Sequence, residues 1–283
     1  MLIGGRQIDG IGLGTAQFAF RDGTREDSVA TVHAALDAGV RLIDTALAYT
    51  RAGVESYAEQ VLAYALRGVG GDRPLVATKG GHWRDGDDFP VDGRPDTLRA
   101  HCEISLRTLE VDRIDLYQLH RVDPRVPLLD SVGALDQLRR EGKIAAIGLS
   151  NVTMAHLDEA LAVAPIAAVQ NRLSYADPAD LPMALACAQR NVAYLAYSPF
   201  GGASGASGVA PGAAHAVAER RGVSVHRVLL AWLRAQSPNI VPLAGASKPA
   251  SIRDSAAPLD LTARDVEEMR QCTLTVRPRT DTL

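Results

Sequence analysis

The sequence lacks the features that mark membrane-bound and nucleic-acid-binding proteins. No window approaches the roughly 18 consecutive apolar residues of a membrane helix. The N-terminus MLIGGRQIDG has no charged segment followed by an apolar one, which a secretory signal would show. The net charge is only -3 and no basic run is longer than two residues, so no surface for a phosphate backbone is evident. We therefore expect a cytoplasmic protein whose partners include neither membrane nor nucleic acid.

Cysteine is also scarce. The three cysteines, Cys102, Cys187 and Cys272, are far apart in the chain, and the first two lie in helical patterns. This spacing indicates neither a disulfide framework nor a CxxC metal site. We expect inert thiols and no metal centre.

Two glycine-rich stretches fall short of the nucleotide-binding motifs that they suggest. GIGLGTA, residues 10 to 16, has glycines at 10, 12 and 14, which do not fit GxGxxG, and no helical pattern opens directly after it. GGASGASGVAPG, residues 201 to 212, lacks the GK[ST] of a P-loop. Because a strand pattern precedes the second stretch and a helical pattern follows it, we expect a mobile loop at the mouth of a barrel.

Short apolar runs alternate with helical patterns along the chain. Eight runs are typical of strands: IGLGT, VRLIDT, PLVATK, IDLYQLH, IAAIGLS, IAAVQ, VAYLAYS and IVPLAGA. The amphipathic segments between them include SVATVHAALDAG, PDTLRAHCEISLRTLE, LLDSVGALDQLRREG and AVAERRGVSVHRVLLAWLRAQ. Such alternation indicates a parallel sheet that is covered on its faces.

Eight strand-helix units in about 250 residues predict a closed (β/α)8 TIM barrel, an α/β fold that forms a single domain over residues 1–283. The alternative is an open doubly wound sheet. It is less well supported because no strand pair carries a dinucleotide-binding fingerprint and because polar residues end nearly every strand. The first segment, LIGGRQID, is expected to form a small β-hairpin that caps the bottom of the barrel.

Polar residues end successive strands and should meet at one end of the barrel. Asp44, Lys79 and His120 end the second, third and fourth strands, and Tyr49 follows on the adjoining loop. Each has an ordinary structural explanation, such as a helix cap or a lysine that reaches solvent. A buried carboxylate, however, is costly without a partner. An acid, a base and an imidazole together therefore favour an active site at the carboxyl ends of the strands, where barrel active sites lie.

The ordered series of strand-end motifs resembles the aldo-keto reductases of bacterial type over nearly the whole chain. The matching stretches are GLGTA (12 to 16), DTALAY (44 to 49), ATKGG (77 to 81), IDLYQLH (114 to 120), IGLSN (147 to 151), VQN (169 to 171), YSPF (197 to 200) and GASKP (245 to 249). The resemblance implies a catalytic tetrad of Asp44, Tyr49, Lys79 and His120. It also implies NADP(H) as the cofactor, with NAD(H) as the alternative.

The chemistry of the four side chains fits carbonyl reduction. A phenol has a reference pKa of about 10, so it is a weak acid at neutral pH unless a cation such as Lys79 favours its anion. Asp44 would supply the counter-ion that a desolvated lysine needs. Tyr49 could then protonate the carbonyl oxygen, while neutral His120 orients the same oxygen. The hydride must come from a nicotinamide, because no side chain can supply one.

The resemblance also implies where the cofactor lies, extended across the top of the barrel without a Rossmann domain. The implied residues are Ser150, Asn151 and Gln170 at the carboxamide, Tyr197 stacked on the nicotinamide ring, Ser198, Phe200 and Gly202 at the pyrophosphate, Gly245, Ser247, Lys248, Ser251, Asp254 and Ser255 at the adenosine half, and Gly14 and Thr15 in GLGTA.

The chain departs from the family pattern in two places. Relatives often continue YGxGxSE after the catalytic tyrosine, where this chain has YTRAGVES, and they often have Arg or Gln where this chain has Ser251. Asp254 and Ser255 likewise replace the usual Glu and Asn. A lysine at 248 remains but lacks the bidentate fork of an arginine, so we expect a modest preference for NADPH.

The predicted substrate is a small carbonyl compound, such as a keto sugar or a pyridoxal-like aldehyde, and the predicted protein is a monomer. Its pocket would be lined by Phe18, Phe20, His82, Trp83 and Phe89, for which loop packing is the ordinary explanation. Two other functions remain open. A nicotinamide-sensing regulatory subunit would not need the intact tetrad. A barrel metallohydrolase would need several His or carboxylate ligands at strand ends, where His120 is the only predicted histidine.

Overall fold

The computed structural model describes residues 1–71, 73–202 and 212–275, with side chains described as far as residue 271. Most of the predicted loop at 201 to 212, the side chain of Cys272 and the C-terminal segment from residue 276 lie outside the described residues. Among the helices that are described, none combines the length and the apolar character needed to span a membrane.

The chain begins with an antiparallel hairpin of strands β1 (Leu2–Ile3) and β2 (Arg6–Gln7). Ile3 and Ile8 are buried in an apolar cluster with residues near the amino-terminal ends of the barrel strands. The hairpin therefore closes that end of the barrel, as the sequence predicted.

Eight further strands are parallel and close into a barrel, which confirms the predicted fold. They are β3 (Gly12–Gly14), β4 (Leu42–Asp44), β5 (Leu75–Gly80), β6 (Ile114–Leu119), β7 (Ile144–Ser150), β8 (Ile166–Arg172), β9 (Ala193–Tyr197) and β10 (Ile240–Gly245). Neighbours in the chain are neighbours in the sheet, and β10 pairs with β3 to close the ring.

The register of the strands brings their carboxyl ends to one level. Asp44 lies opposite Gly14 on one side and Ala77 on the other. Lys79 lies opposite Gln118. The last two residues that pair between β7 and β8 both belong to the predicted cofactor site. The polar strand-end residues therefore share one end of the barrel, opposite the hairpin.

Helices connect the strands and cover the barrel. They are α1 (Ala16–Phe20), α2 (Arg25–Asp37), α3 (Tyr57–Leu66), α4 (Pro95–Leu109), α5 (Leu128–Arg140), α6 (Met154–Leu161), α7 (Leu181–Gln189), α8 (Gly212–Arg221), α9 (Val225–Gln236), α10 (Pro249–Ala256) and α11 (Ala263–Thr275). The larger of the two apolar clusters is formed between these helices and the outer face of the sheet.

The segment AVAERRGVSVHRVLLAWLRAQ forms two helices, α8 and α9. Gly222 has φ = 63° after the end of α8, a conformation that favours glycine and interrupts the helix. Ser224 then caps α9, because its side chain accepts a hydrogen bond from the backbone N–H of Arg227. A glycine where a helix should stop is the signal in the sequence that marks this break.

Candidate active site

Lys79 lies at the carboxyl end of β5 with its side chain completely buried. Its Nζ is 2.8 Å from each carboxylate oxygen of Asp44. It also donates to the carbonyl oxygen of Thr45 at 2.8 Å and to the hydroxyl of Tyr49 at 3.3 Å. The counter-ion that a buried Asp44 requires is therefore Lys79, and the same ammonium group contacts the phenol.

Two amides also contact the carboxylate of Asp44, a role that the sequence analysis did not assign. Gln170 Nε2 donates to Asp44 Oδ1 at 2.7 Å, and Gln118 Nε2 lies 3.4 Å from the same oxygen. Gly148 leaves room for Gln118, because a Cβ there would lie 2.7 Å from Gln118 Cγ. The two-residue alternation of a strand places Gln118 on the same face as His120, and that alternation could have identified it.

Burial and neighbouring charges shift the pKa values of both Lys79 and Tyr49. In Lys79 the charges outweigh burial, whereas in Tyr49 burial outweighs the charge of Lys79. Burial alone would lower the pKa of Lys79, but Asp44 and Tyr49 together outweigh it, so the pKa lies above its ordinary value. Burial also raises the pKa of Tyr49, and the opposing effect of Lys79 does not cancel it. The sequence predicted the influence of Lys79 but not that burial would exceed it. Tyr49 is therefore a neutral hydroxyl at pH 7, with a proton to donate.

His120 lies beside Tyr49, with ring centroids 5.9 Å apart and the rings edge to face. Burial, followed by the nearby positive charge of Lys79, holds the pKa of His120 well below its usual range. The imidazole is therefore neutral at pH 7, as the sequence predicted. Its Nδ1 is buried and has no hydrogen-bond partner among the described residues.

Three of the predicted substrate-contacting residues form one aromatic group with the catalytic candidates. The ring of His82 is 4.8 Å from that of His120, and Phe89 is 5.8 Å from His82. Phe20 lies 6.0 Å from Phe89 and 6.1 Å from Tyr49. The rings thus form a chain that begins and ends beside the phenol and the imidazole.

The other two predicted substrate-contacting residues lie apart from this aromatic group. Phe18 is buried in the apolar cluster between sheet and helices. Trp83 packs edge to face on His101, with centroids 5.3 Å apart. Sequence proximity to Phe20 and His82 suggested both, but neighbouring side chains in a loop or helix can point in different directions.

Two arginines that the sequence analysis did not single out join the loops around the aromatic group. Arg51 donates to the carbonyl oxygens of Phe18 and Gly23 at 3.0 and 2.8 Å, which joins the loop after β4 to the segment after β3. Arg84 donates to the carbonyl oxygen of Thr50 at 3.1 Å, which joins the loop after β5 to the loop after β4. Arg51 belongs to YTRAGVES, so the departure from the family pattern supplies its two contacts.

The ends of β7 and β9 are joined by a hydrogen-bonded group of predicted cofactor residues. Tyr197 donates its hydroxyl proton to Asn151 Oδ1 at 2.7 Å. Asn151 Nδ2 in turn donates to the carbonyl oxygen of His120 at 3.0 Å and to Ser150 Oγ at 3.1 Å. Asn151 has φ = 57°, a left-handed conformation that asparagine adopts more readily than most residues. The structure therefore brings these residues together next to the backbone of His120.

The chain after β9 turns sharply at the residues predicted to face a pyrophosphate. Ser198, Gly201 and Gly202 have φ of 52°, 94° and 71°. Phe200 packs edge to face on His226 of α9, with centroids 4.8 Å apart. The turn is therefore fixed on one side by an aromatic contact, while Gly202 is exposed.

The residues predicted to bind the adenosine half of the cofactor differ in their exposure and in the hydrogen bonds that they already make. Ser251 and Lys248 are exposed near the start of α10, and Gly245 is exposed at the end of β10. Asp254 accepts hydrogen bonds from Arg227, at 2.8 Å, and from Ser224. The remaining members are Ser247, which is partly exposed, and Ser255, which is buried.

Gly14 and Thr15 lie at the end of β3 next to the tetrad. Gly14 pairs in register with Asp44. The backbone N–H and the hydroxyl of Thr15 donate to the carbonyl oxygen of Asp44 at 2.9 and 3.0 Å, and Thr15 is completely buried. In this structure Thr15 therefore fixes the backbone of the strand end that carries Asp44.

Comparison with known proteins identifies the family. A model of the aldo/keto reductase family matches residues 10–274. The chain belongs to this family. A relative in Schizosaccharomyces pombe, an uncharacterised oxidoreductase, is 32% identical to the reductase over 225 residues, which cover 79% of this chain and 71% of the relative.

Solved structures of the family have the same fold as this reductase. The glycerol dehydrogenase of Gluconobacter oxydans is 28% identical, with a TM-score of 0.81 and coverage of 98% of this chain and 95% of that one. An aldo/keto reductase of Klebsiella pneumoniae, solved in complex with NADP and acetate, is also 28% identical, with a TM-score of 0.81 and coverage of 98% and 96%.

Within the part of the chain that the structure describes, no group of three or more His, Cys, Asp or Glu side chains is arranged to hold a metal ion. The buried thiols Cys102 and Cys187 both have a pKa raised to about 12 by burial, so both are protonated at neutral pH.

Proposed function

We propose that this reductase converts an aldehyde or ketone to the alcohol with a hydride from NADPH, and that Tyr49 donates the proton. The observation that carries the proposal is the contact of 3.3 Å between the Tyr49 hydroxyl and the buried ammonium group of Lys79, which is also paired with Asp44. A neutral imidazole, His120, lies beside the same phenol. This is the arrangement of groups that carbonyl reduction requires.

Each group has a role that its environment supports. When bound, the nicotinamide supplies the hydride. Tyr49, neutral at pH 7, transfers its proton to the carbonyl oxygen as negative charge develops there. Lys79 stabilises the phenolate that remains, and Asp44 keeps Lys79 charged. His120 orients the carbonyl by a hydrogen bond to the same oxygen.

The described residues fit a nicotinamide cofactor at the strand ends. Gly202 is bare backbone, and a Cβ there would approach Ser198 Oγ to 3.1 Å. Asn151 and Gln170, proposed for the carboxamide, carry amide groups at the barrel mouth, although both now contact protein atoms. NADP(H) is favoured because the Klebsiella relative was solved with NADP, and exposed Lys248 provides a cation for the 2'-phosphate. NAD(H) is the alternative.

The aromatic group supports a substrate with a flat or apolar face next to its carbonyl carbon. Phe20 and Phe89 are 49% and 40% exposed although both are large apolar residues, so their rings are available to a ligand. His82 adds a polar ring whose Nδ1 lies 2.9 Å from the carbonyl oxygen of Pro90. We propose aromatic or pyridoxal-like aldehydes as the first substrates to test, followed by keto sugars.

The test is a comparison of Tyr49→Phe with wild type. With NADPH and 4-nitrobenzaldehyde, the variant should lose about two to four orders of magnitude in kcat, because a positioned acid is typically worth that much. Its NADPH affinity, measured by quenching of intrinsic fluorescence, should stay close to that of wild type. Tyr64→Phe is the matched control, because Tyr64 is half-exposed on α3.

Two results would contradict the proposal. If Tyr49→Phe retained most of its activity, another group would be the acid. If wild type bound NADPH but did not oxidise it with any aldehyde or ketone of a broad panel, a cofactor-sensing role would replace catalysis.

A further inference from the structure

Arg172, the last residue of β8, has an incomplete set of hydrogen bonds. One nitrogen of its guanidinium, Nη2, donates to the carbonyl oxygen of Gly201. Its Nε is buried and has no partner among the described residues. A buried donor without an acceptor costs roughly 1 to 3 kcal/mol. Such a donor is therefore explained either by strain or by a partner that binds there.

The charge of Arg172 is also unpaired. No carboxylate in the described part of the chain forms a salt bridge with it, and the nearby Asp180 is already engaged. Asp180 Oδ2 accepts hydrogen bonds from Tyr194 at 2.6 Å and from Asn171 at 2.9 Å. Burial raises the pKa of Tyr197, and the positive charges of Arg121 and then Arg172 oppose that rise, so the charge of Arg172 acts at this site.

The backbone next to Arg172 contains two glycines, so a ligand can approach it closely. Gly201 and Gly202 have φ of 94° and 71°, and the N–H of Gly201 donates to the carbonyl oxygen of Ser198 at 2.8 Å. A Cβ on Gly202 would lie 3.1 Å from Ser198 Oγ and 3.9 Å from Arg172 Nη2. Because glycine has no side chain, a phosphate group can approach the backbone of such a turn closely. Here such a turn adjoins an unpaired guanidinium.

We propose that Arg172 is a ligand of the cofactor's pyrophosphate, which it binds together with the turn from Ser198 to Gly202. The inference rests on the proposed NADPH-dependent function, and it adds a residue that the family resemblance did not assign. A guanidinium presents several N–H donors in a planar fork that matches phosphate oxygens, and it is always charged. The contact with Gly201 holds the fork beside the turn.

The test must separate phosphate binding from a purely structural contact with Gly201. We would measure the Kd of NADPH and of NADH by fluorescence quenching in wild type, Arg172→Gln and Arg172→Lys. Glutamine can still donate to the Gly201 carbonyl but carries no charge, whereas lysine keeps the charge without the fork. Adenosine 2'-monophosphate, which has no pyrophosphate, is the control ligand. Far-UV circular dichroism and the thermal midpoint verify that each variant is folded.

A pyrophosphate ligand serves both cofactors equally. Arg172→Gln should therefore weaken NADPH and NADH by the same factor, roughly 10- to 150-fold for the loss of one charge-assisted contact of about 1.5 to 3 kcal/mol. Arg172→Lys should recover part of this loss, and binding of adenosine 2'-monophosphate should not change. By contrast, Lys248→Met should weaken NADPH only.

The inference is overturned if Arg172→Gln binds both cofactors within twofold of wild type, because Arg172 would then be only a structural contact of the turn. A loss confined to NADPH would also overturn it, since the guanidinium would then serve the 2'-phosphate. A wild-type protein that binds neither cofactor would refute the proposed function itself, and that outcome is visible before any variant is made.

Discussion

The ion pair between Asp44 and Lys79 yields a stability prediction that reports directly on the site. In Asp44→Asn the carboxylate that compensates a completely buried ammonium group is removed, while the side chain keeps its size. Removing one partner of a buried pair typically costs about 3 to 5 kcal/mol. The amide cannot accept from Lys79 at both of its positions, because one of them now carries an NH2 group. We expect a loss of about that size in the free energy of unfolding at pH 7, measured by urea denaturation.

The pH dependence of that loss is the sharper test. In wild type the folded-state pKa of Lys79 is raised, so its contribution is fully present below the unfolded pKa of about 10.4 and is lost as pH rises through the folded value. In the variant, burial acts without the carboxylate and depresses the pKa, so the folded state favours the neutral amine. Variant stability should then rise with pH up to about 10.4. The difference between the two proteins should narrow from pH 7 to pH 10.

Asp136→Asn is the matched control. Asp136 is also a buried aspartate in ion pairs, but one of its partners, Arg140, is 66% exposed and stays hydrated when the carboxylate is lost. Pairs of this kind are worth roughly 0 to 1 kcal/mol. If Asp44→Asn cost no more than this control, or if its deficit did not change with pH, the buried ammonium would not depend on Asp44.

Three further outcomes follow from the contacts at the site. Lys79→Met should lower kcat by at least about 100-fold, and the basic limb of the pH-rate profile should move to higher pH, because Lys79 is the group that lowers the pKa of Tyr49. Gly148→Ala should cost about 1 to 3 kcal/mol in urea denaturation, because its Cβ would lie 2.7 Å from Gln118 Cγ. Ser251→Arg should tighten NADPH by roughly 10- to 100-fold and leave NADH nearly unchanged in fluorescence titration.

Each of these has an outcome that would count against it. An unmoved pH profile in Lys79→Met would mean that the lysine does not act through the phenol. Gly133→Ala on α5 is the control for Gly148, because a Cβ at Gly133 contacts nothing within 4 Å and should be neutral or stabilising. Equal affinity for NADPH and NADH in wild type, with no gain in Ser251→Arg, would place the 2'-hydroxyl end of the cofactor away from α10.

The fold could be predicted because its features repeat along the chain. Each strand is a short apolar run followed by a helical pattern, and polar residues lie at or just after nearly every strand end. Because carboxyl ends of parallel strands meet at one end of a barrel, the grouping of Asp44, Lys79 and His120 followed from their positions alone. The hairpin could be predicted because its two strands are adjacent in the chain.

The contacts that sequence reasoning missed are long-range and often use backbone atoms as partners. Gln118 was identifiable in principle, since strand alternation puts it on the interior face with His120. Arg51 and Arg172 are different, because their acceptors are the carbonyl oxygens of Gly23 and Gly201, and every residue has a carbonyl oxygen. For an arginine that binds such acceptors, no particular type of residue in the sequence identifies the partner. Charge-to-charge pairs such as that of Asp44 and Lys79 can be predicted from sequence, whereas charge-to-backbone contacts become visible only when the loops are placed in three dimensions.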